Sequence, residues 1–173
     1  VYGFTGPRSA GRYSQELQWM VSGLDSQGVC GWIIDLRDAG GWDAYPVLAG
    51  LSPLFDDPAA VTFVYPNGRQ GRPDPDQLFL PTQYTLADPA RPIAVLIGGD
   101  TSGAGEWVAL TFRGMANARL FGASTAGQTT VPASLRLSDG ALLFVSEAAI
   151  SSRADDWARA LEARGIEVVH ALL

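Results

Sequence analysis

The chain has 173 residues, of which 47% are apolar, and its net charge is −6. This is enough for one folded domain with a hydrophobic core, and the composition excludes a disordered chain. All 12 basic residues are arginine and form no basic stripe, which argues against nucleic acid or an anionic membrane as a partner. No apolar run is long enough to span a bilayer.

The first half of the chain alternates helix and strand patterns. Apolar periodicity predicts a helix over residues 13–24. A continuous apolar run over 30–36 predicts a buried, parallel strand, in which the only cysteine, Cys30, is a buried structural thiol. A helix over 42–54 follows and must carry Pro46 in its first turn.

The middle of the chain continues this alternation. A short strand is predicted over 61–65, and residues 67–83, rich in Pro, Gly and Asp, form a hairpin or loop. A buried strand over 93–97 leads into a helix over 103–117. A strand at 120–121 follows.

The last third holds strands within 135–145 around a turn at 138–140. A helix over 155–164, ended by a glycine, and a strand over 166–169 close the pattern. Repeated strand–helix–strand units predict an α/β fold.

We see no linker or internal repeat, so we expect a single domain over residues 1–173. The chain opens on a strand pattern at Val1 with no signal peptide, as a mature form or a fragment lacking an upstream segment would.

Three junctions carry candidate chemistry. Residues 35–41 run from a strand into a double glycine, whose N–H groups could bind an oxyanion, although a plain turn is the simpler interpretation. Residues 97–106 form a small-residue turn at a helix start, where Glu106 is a cap or anchor and Ser102 a turn hydroxyl. Residues 121–129 are small and hydroxylated, and a solvated loop explains them equally well.

Together these segments resemble the carboxyl-terminal-processing (tail-specific) serine protease family, closest to its short bacterial and tricorn-core-like members. The family motifs Asp-Leu-Arg-Gly-Asn-x-Gly-Gly, Thr-Ala-Ser-x-x-Glu, Gly-x-x-Thr-x-Gly and Gly-Ile-x-Pro-Asp appear in altered form and in the same order at 35–41, 101–106, 122–127 and 165–168. The resemblance implies a crotonase/ClpP-like core of stacked ββα units, a peptide or protein substrate and no cofactor or metal. Family members often act outside the bacterial cytoplasm, which implies that compartment here.

The chain departs from the family pattern at the reacting groups. Aligned through the glutamate, the nucleophile position falls on Gly103, and the lysine position falls on Gln128. The resemblance implies oxyanion amides at Gly40 or Gly41 and at Ala104.

Tricorn-like members use a histidine upstream of this core and a glutamate that maps onto Glu162. The only histidine here, His170, is better explained as a terminal surface residue. In a register shifted by one residue, Ala104 would be a replaced serine. An engineered replacement, a natural non-catalytic homologue and a fragment completed by upstream residues all stay open.

Three functions follow from this resemblance. The first is a serine endopeptidase core, inactive as given because nucleophile and base are missing. The second is a module on the same fold that binds peptides or their C-termini. The third is an acyl-CoA-handling enzyme, for which no nucleotide-binding motif is found. Trp42 and Trp107 are candidate walls of the substrate pocket, and core packing explains them equally well.

Overall fold

A computed structural model of the chain describes residues 10–78, 80 and 82–152. The elements in this part are, in chain order, α1 (Ala10–Asp25), β1 (Trp32–Asp35), α2 (Tyr45–Leu51), β2 (Thr62–Val64), β3 (Gln70–Gly71), β4 (Ile93–Ile97), α3 (Ala104–Arg113), β5 (Ala118–Gly122), β6 (Thr130–Arg136) and β7 (Leu142–Ser151). Short 3₁₀ turns lie at Ser52–Leu54 and Pro75–Gln77.

The strands form one parallel and one antiparallel sheet. The parallel sheet has the order β1-β4-β5, with Ile34 of β1 opposite Val95 of β4. Helix α3 connects β4 to β5, as a parallel pair requires. The antiparallel sheet has the order β3-β2-β7-β6. Because β1 and β4 are parallel neighbours, the loops that follow them emerge side by side.

The core lies between the parallel sheet and helices α2 and α3. Val95 at the centre of the sheet, Leu48 of α2 and Phe112 of α3 are fully buried. The ring of Phe112 packs on that of Phe55 with centroids 4.5 Å apart. Burial of these side chains, each contributing about 1.5–3 kcal/mol, fixes α3 against the strand that precedes it.

The α/β prediction is confirmed, as are the helix, strand and hairpin patterns up to residue 122, with shorter or shifted ends. The predicted helix over 42–54 is a seven-residue α2 followed by a 3₁₀ turn, and Pro46 does lie in its first turn. The predicted turn at 138–140 connects β6 and β7, with Gly140 at φ 87°. The stacking of ββα units in the crotonase/ClpP manner stays a prediction.

Two burial predictions were wrong. Cys30 is exposed, because it lies in the bend before β1 rather than in the strand itself. The apolar run of β1 suggested two covered faces, yet only the face of Trp32 and Ile34 is buried, and Ile33 is 74% exposed. The period-2 alternation of a strand explains the difference, since neighbouring side chains point to opposite faces.

The predicted helix over 155–164, the strand over 166–169, and with them Glu162 and His170, lie outside the described residues. In the part that the structure describes, no helix is both long and apolar enough to cross a membrane.

Candidate active site

The loops that follow β1 and β4 are joined through a buried threonine. The Oγ1 of Thr101, which is fully buried, donates to the carbonyl of Leu36 at 2.7 Å and accepts from the N–H of Gly98 at 2.9 Å. The N–H of Ser102 donates to the carbonyl of Ala39 at 3.0 Å. These bonds hold the motifs at 35–41 and 97–106 against each other at one edge of the sheet.

Helix α3 begins in close contact with the loop after β1. A Cβ on Gly105 would lie 2.2 Å from the carbonyl oxygen of Ala39, a distance at which the two atoms would overlap. The small-residue pattern of this helix start therefore has a structural cause, because only glycine lets the two backbones approach so closely.

Gly103 forms the corner between β4 and α3. Its φ of 51° and ψ of −109° are values that side-chain-bearing residues seldom adopt, and a Cβ there would lie 2.5 Å from the carbonyl oxygen of Gly41. Ala104 is the first residue of α3 and is buried. The corner that only glycine accommodates is thus at 103, the position at which the motif resemblance predicts the nucleophile.

The backbone amides expected to hold an oxyanion differ in whether their N–H groups already have a hydrogen-bond acceptor. The N–H of Ala104 donates to the carbonyl of Gly41 at 3.0 Å. The N–H of Gly41 donates to no acceptor among the described residues. Gly40 lies beside the corner, where a Cβ would come within 2.9 Å of Ser102 Oγ. Both amides would face one ligand only if the Gly41 carbonyl turned away.

Glu106 anchors the corner to the loop over 123–129. Its side chain is 1% exposed, and its two oxygens accept from the backbone N–H groups of Gly103 (2.9 Å), Gly127 (2.7 Å) and Gln128 (2.7 Å) and from the hydroxyl of Thr125 (2.6 Å). The interpretation of Glu106 as a cap and anchor is confirmed. The loop itself is largely exposed, but it is tied down rather than merely solvated.

A pocket of about 320 Å³ opens at this corner and brings together Gly41, Gly103, Ala104 and Gln128. Of the two candidate wall tryptophans, Trp42 is 76% exposed and Trp107 only 7%, and both line the pocket. Trp107 packs edge-on against the rings of Tyr45 and Phe63, so it serves the core as well.

The opposite wall of the pocket was missed by the sequence reasoning. It is the β6–β7 hairpin, which contributes Thr130, Val131 and Pro132 from β6 and Phe144, Val145 and Ser146 from β7. Phe144 stacks on Trp42 with ring centroids 5.9 Å apart. The β-branched run from Thr129 to Val131 was the available strand signal, hidden by the proline that follows it.

None of the described residues that line the pocket carries a charge. Charged side chains lie nearby at the end of β1, where the guanidinium of Arg37 contacts the carboxylate of Asp35 at 2.7 Å. The hydrogen bonds from Arg37 hold the pKa of Asp35 well below its usual range. Within the described ranges, no group of three or more His, Cys, Asp or Glu side chains is placed to hold a metal ion.

The parallel sheet, the corner at the start of α3 and the adjoining pocket define an α/β protein with a candidate site where β1 and β4 end. A sequence model of peptidase family S41 matches residues 3–167, and the chain belongs to this family. The resemblance to carboxyl-terminal-processing proteases is thereby confirmed.

Three relatives illustrate the likeness. A nisin-resistance protein of Lactococcus lactis subsp. lactis is 31% identical over 163 residues, which cover 88% of this chain and 50% of the relative. The structure of a lipoprotein from Streptococcus agalactiae superposes with a TM-score of 0.77 at 25% identity, over 89% of this chain and 55% of that one. A photosystem II D1 C-terminal processing protease shares the fold with a TM-score of 0.66 at 22% identity, over 89% and 37%. The chain therefore spans about half the length of the curated relative it matches.

Proposed function

We propose that this chain is a peptide-binding domain on the S41 peptidase fold, which holds an extended peptide in the pocket without cutting it. The observation that carries this proposal is the chemistry of the pocket lining. Position 103 has no side chain, and the residue at the position of the family's lysine is Gln128, an amide that accepts no proton at neutral pH. Serine hydroxyls such as that of Ser102 lie nearby, but a hydroxyl without a neighbouring base is a weak nucleophile.

The shape of the pocket suits a peptide in extended conformation. One wall is the loop at Gly41 and Trp42, and the other is β6, an edge strand of the antiparallel sheet. An extended peptide between them could pair with backbone groups while an apolar side chain packs against the exposed, stacked rings of Trp42 and Phe144. The walls thus favour an apolar residue at the centre of the bound segment.

Peptide-bond hydrolysis in a longer chain is the second candidate function, and family membership favours it. The family's reaction passes through an acyl-enzyme whose oxyanion is held by backbone amides. Here that would require a nucleophile and a base from outside the described residues, with Glu162 orienting the base. The Lactococcus lactis relative is named for nisin resistance, and a role in such resistance is a candidate for the whole protein.

Binding and cleavage are tested together by titrating the protein with extended peptides that carry a central apolar residue. Tryptophan fluorescence reports binding, and mass spectrometry of the same samples reports products. We expect saturable binding with intact peptide, weakened at least about tenfold by Trp42→Ala, because an aromatic wall contributes about 1.5–3 kcal/mol. Trp19→Ala, at another exposed tryptophan, on α1, is the control and should leave affinity unchanged. Time-dependent peptide products would overturn the proposal.

A further inference from the structure

We infer that the pocket recognises the uncharged interior of a peptide and discriminates against a C-terminal carboxylate. This inference rests on the proposed peptide binding and specifies which part of a peptide the pocket accepts. It rests on three features of the described residues: the N–H groups at the start of α3 that already have acceptors, a pocket lining without a cation, and the neutral side chains at the corner.

Three N–H groups at the start of α3 already have acceptors within the protein. A helix N-terminus ordinarily binds anions through its free N–H groups. Here the N–H of Gly103 donates to Glu106 at 2.9 Å, that of Ala104 to the Gly41 carbonyl at 3.0 Å, and that of Gly105 to the Ser102 carbonyl at 2.9 Å. The buried carboxylate of Glu106 is already the anion at this terminus, so a second one would meet like charge.

Among the residues that the structure describes, no cation lines the pocket to compensate a carboxylate. Binding a terminal carboxylate would therefore remove its hydration without supplying a charged partner, which is unfavourable. The net charge of −6 adds a long-range repulsion of the same sign.

Two neutral side chains at the corner match a peptide group instead. The carboxamide of Gln128 and the hydroxyl of Ser102 line the pocket, and neither makes a hydrogen bond to another described residue. Each can both donate and accept, as the N–H and C=O groups of a peptide unit require. A carboxylate, which only accepts, would use half of that capacity.

The test compares three peptides with the same apolar core: one ending at the core in a free carboxylate, one ending there in an amide, and one extended by Gly-Ser on both sides and amidated. Affinity is measured by fluorescence titration at low and at high salt. We expect the amidated and extended peptides to bind about tenfold more tightly than the carboxylate, equivalent to about 1.4 kcal/mol. High salt should reduce this difference in affinity, because it screens the repulsion between the peptide carboxylate and the negatively charged protein.

Gln128→Lys adds a cation at the corner, and Gln27→Lys adds the same charge on an exposed turn after α1. We expect Gln128→Lys to favour the carboxylate peptide, and Gln27→Lys to leave the order unchanged. A wild-type preference for the free carboxylate, or equal effects of the two lysines, would overturn the inference and leave peptide binding standing. Failure of all three peptides to bind would overturn the proposed function together with the inference.

Discussion

Replacing Glu106 by glutamine tests the anchor that holds the corner to the loop over 123–129. The change keeps the shape of the side chain but turns one acceptor oxygen into an NH₂ group. In either orientation of the amide, the new NH₂ group would face N–H or O–H donors and not an acceptor. At the Oε2 position it would face the N–H groups of Gly103 and Gln128, and both would lose their acceptor.

With the NH₂ group at the Oε1 position fewer hydrogen bonds are lost, so this orientation of the amide determines the expected loss of stability. The hydroxyl of Thr125 can turn to accept from the new NH₂ group, but the partly buried N–H of Gly127 loses its acceptor. One such orphan donor costs about 1–3 kcal/mol, and losing the charge weakens the other bonds by about 1 kcal/mol in total. We expect Glu106→Gln to lower the free energy of unfolding by about 3 kcal/mol.

Denaturant unfolding followed by tryptophan fluorescence measures this loss. Thr125→Val removes a single donor and should cost about 1 kcal/mol. Glu16→Gln is the matched control, because Glu16 is half exposed and pairs with Arg12 on the helix surface, and it should change stability by less than about 0.5 kcal/mol. If Glu106→Gln proves as mild as Glu16→Gln, the carboxylate does not hold the corner in place.

Two further predictions concern stability. Gly103→Ala should lower the free energy of unfolding by about 1–3 kcal/mol, because φ is positive at this position and the new Cβ would meet a backbone oxygen. Gly99→Ala, where the new Cβ would meet no atom, is the control and should cost less than about 1 kcal/mol. Equal losses of stability for the two variants would contradict the requirement for glycine at position 103. Asp25→Asn should destabilise the protein at neutral pH, because the N–H of Ala87 first, with the neighbouring Tyr and Arg groups, lowers the pKa of Asp25 below 3.8. The stability that a lowered pKa provides is present above pH 3.8 and is lost as the pH falls through the folded-state pKa, so the difference from wild type should shrink in acid. Asp88→Asn, at an exposed carboxylate, is the control, and a pH-independent difference for Asp25→Asn would refute the assignment.

The parts of the fold that could be predicted are those determined by residues close to one another in the sequence. The helix period predicted α1, and the continuous apolar run predicted β4, because burial leaves a periodic trace in the chain. The role of Glu106 followed from its distance to the helix start, since capping is set by neighbours in sequence.

The parts that sequence could not predict depend on contacts between distant segments. The β6–β7 hairpin forms a pocket wall only because it folds over the corner, and the sequence patterns assigned its first residues, 130–134, to no element. The hydrogen bond from the Ala104 N–H to the Gly41 carbonyl joins residues more than sixty positions apart, and no local sequence pattern predicts it. The exposure of Cys30 depends on where β1 begins, which is the least regular point of a strand pattern.

The central claim is that the pocket carries no activated nucleophile. Treating the protein with a fluorophosphonate, which labels activated serines, and weighing the intact chain tests this most directly; an active serine protease treated in parallel confirms the reagent. We predict an unchanged mass after prolonged exposure, with peptide binding retained. A stoichiometric adduct on a serine of the pocket, at Ser102 or Ser146, would contradict the account.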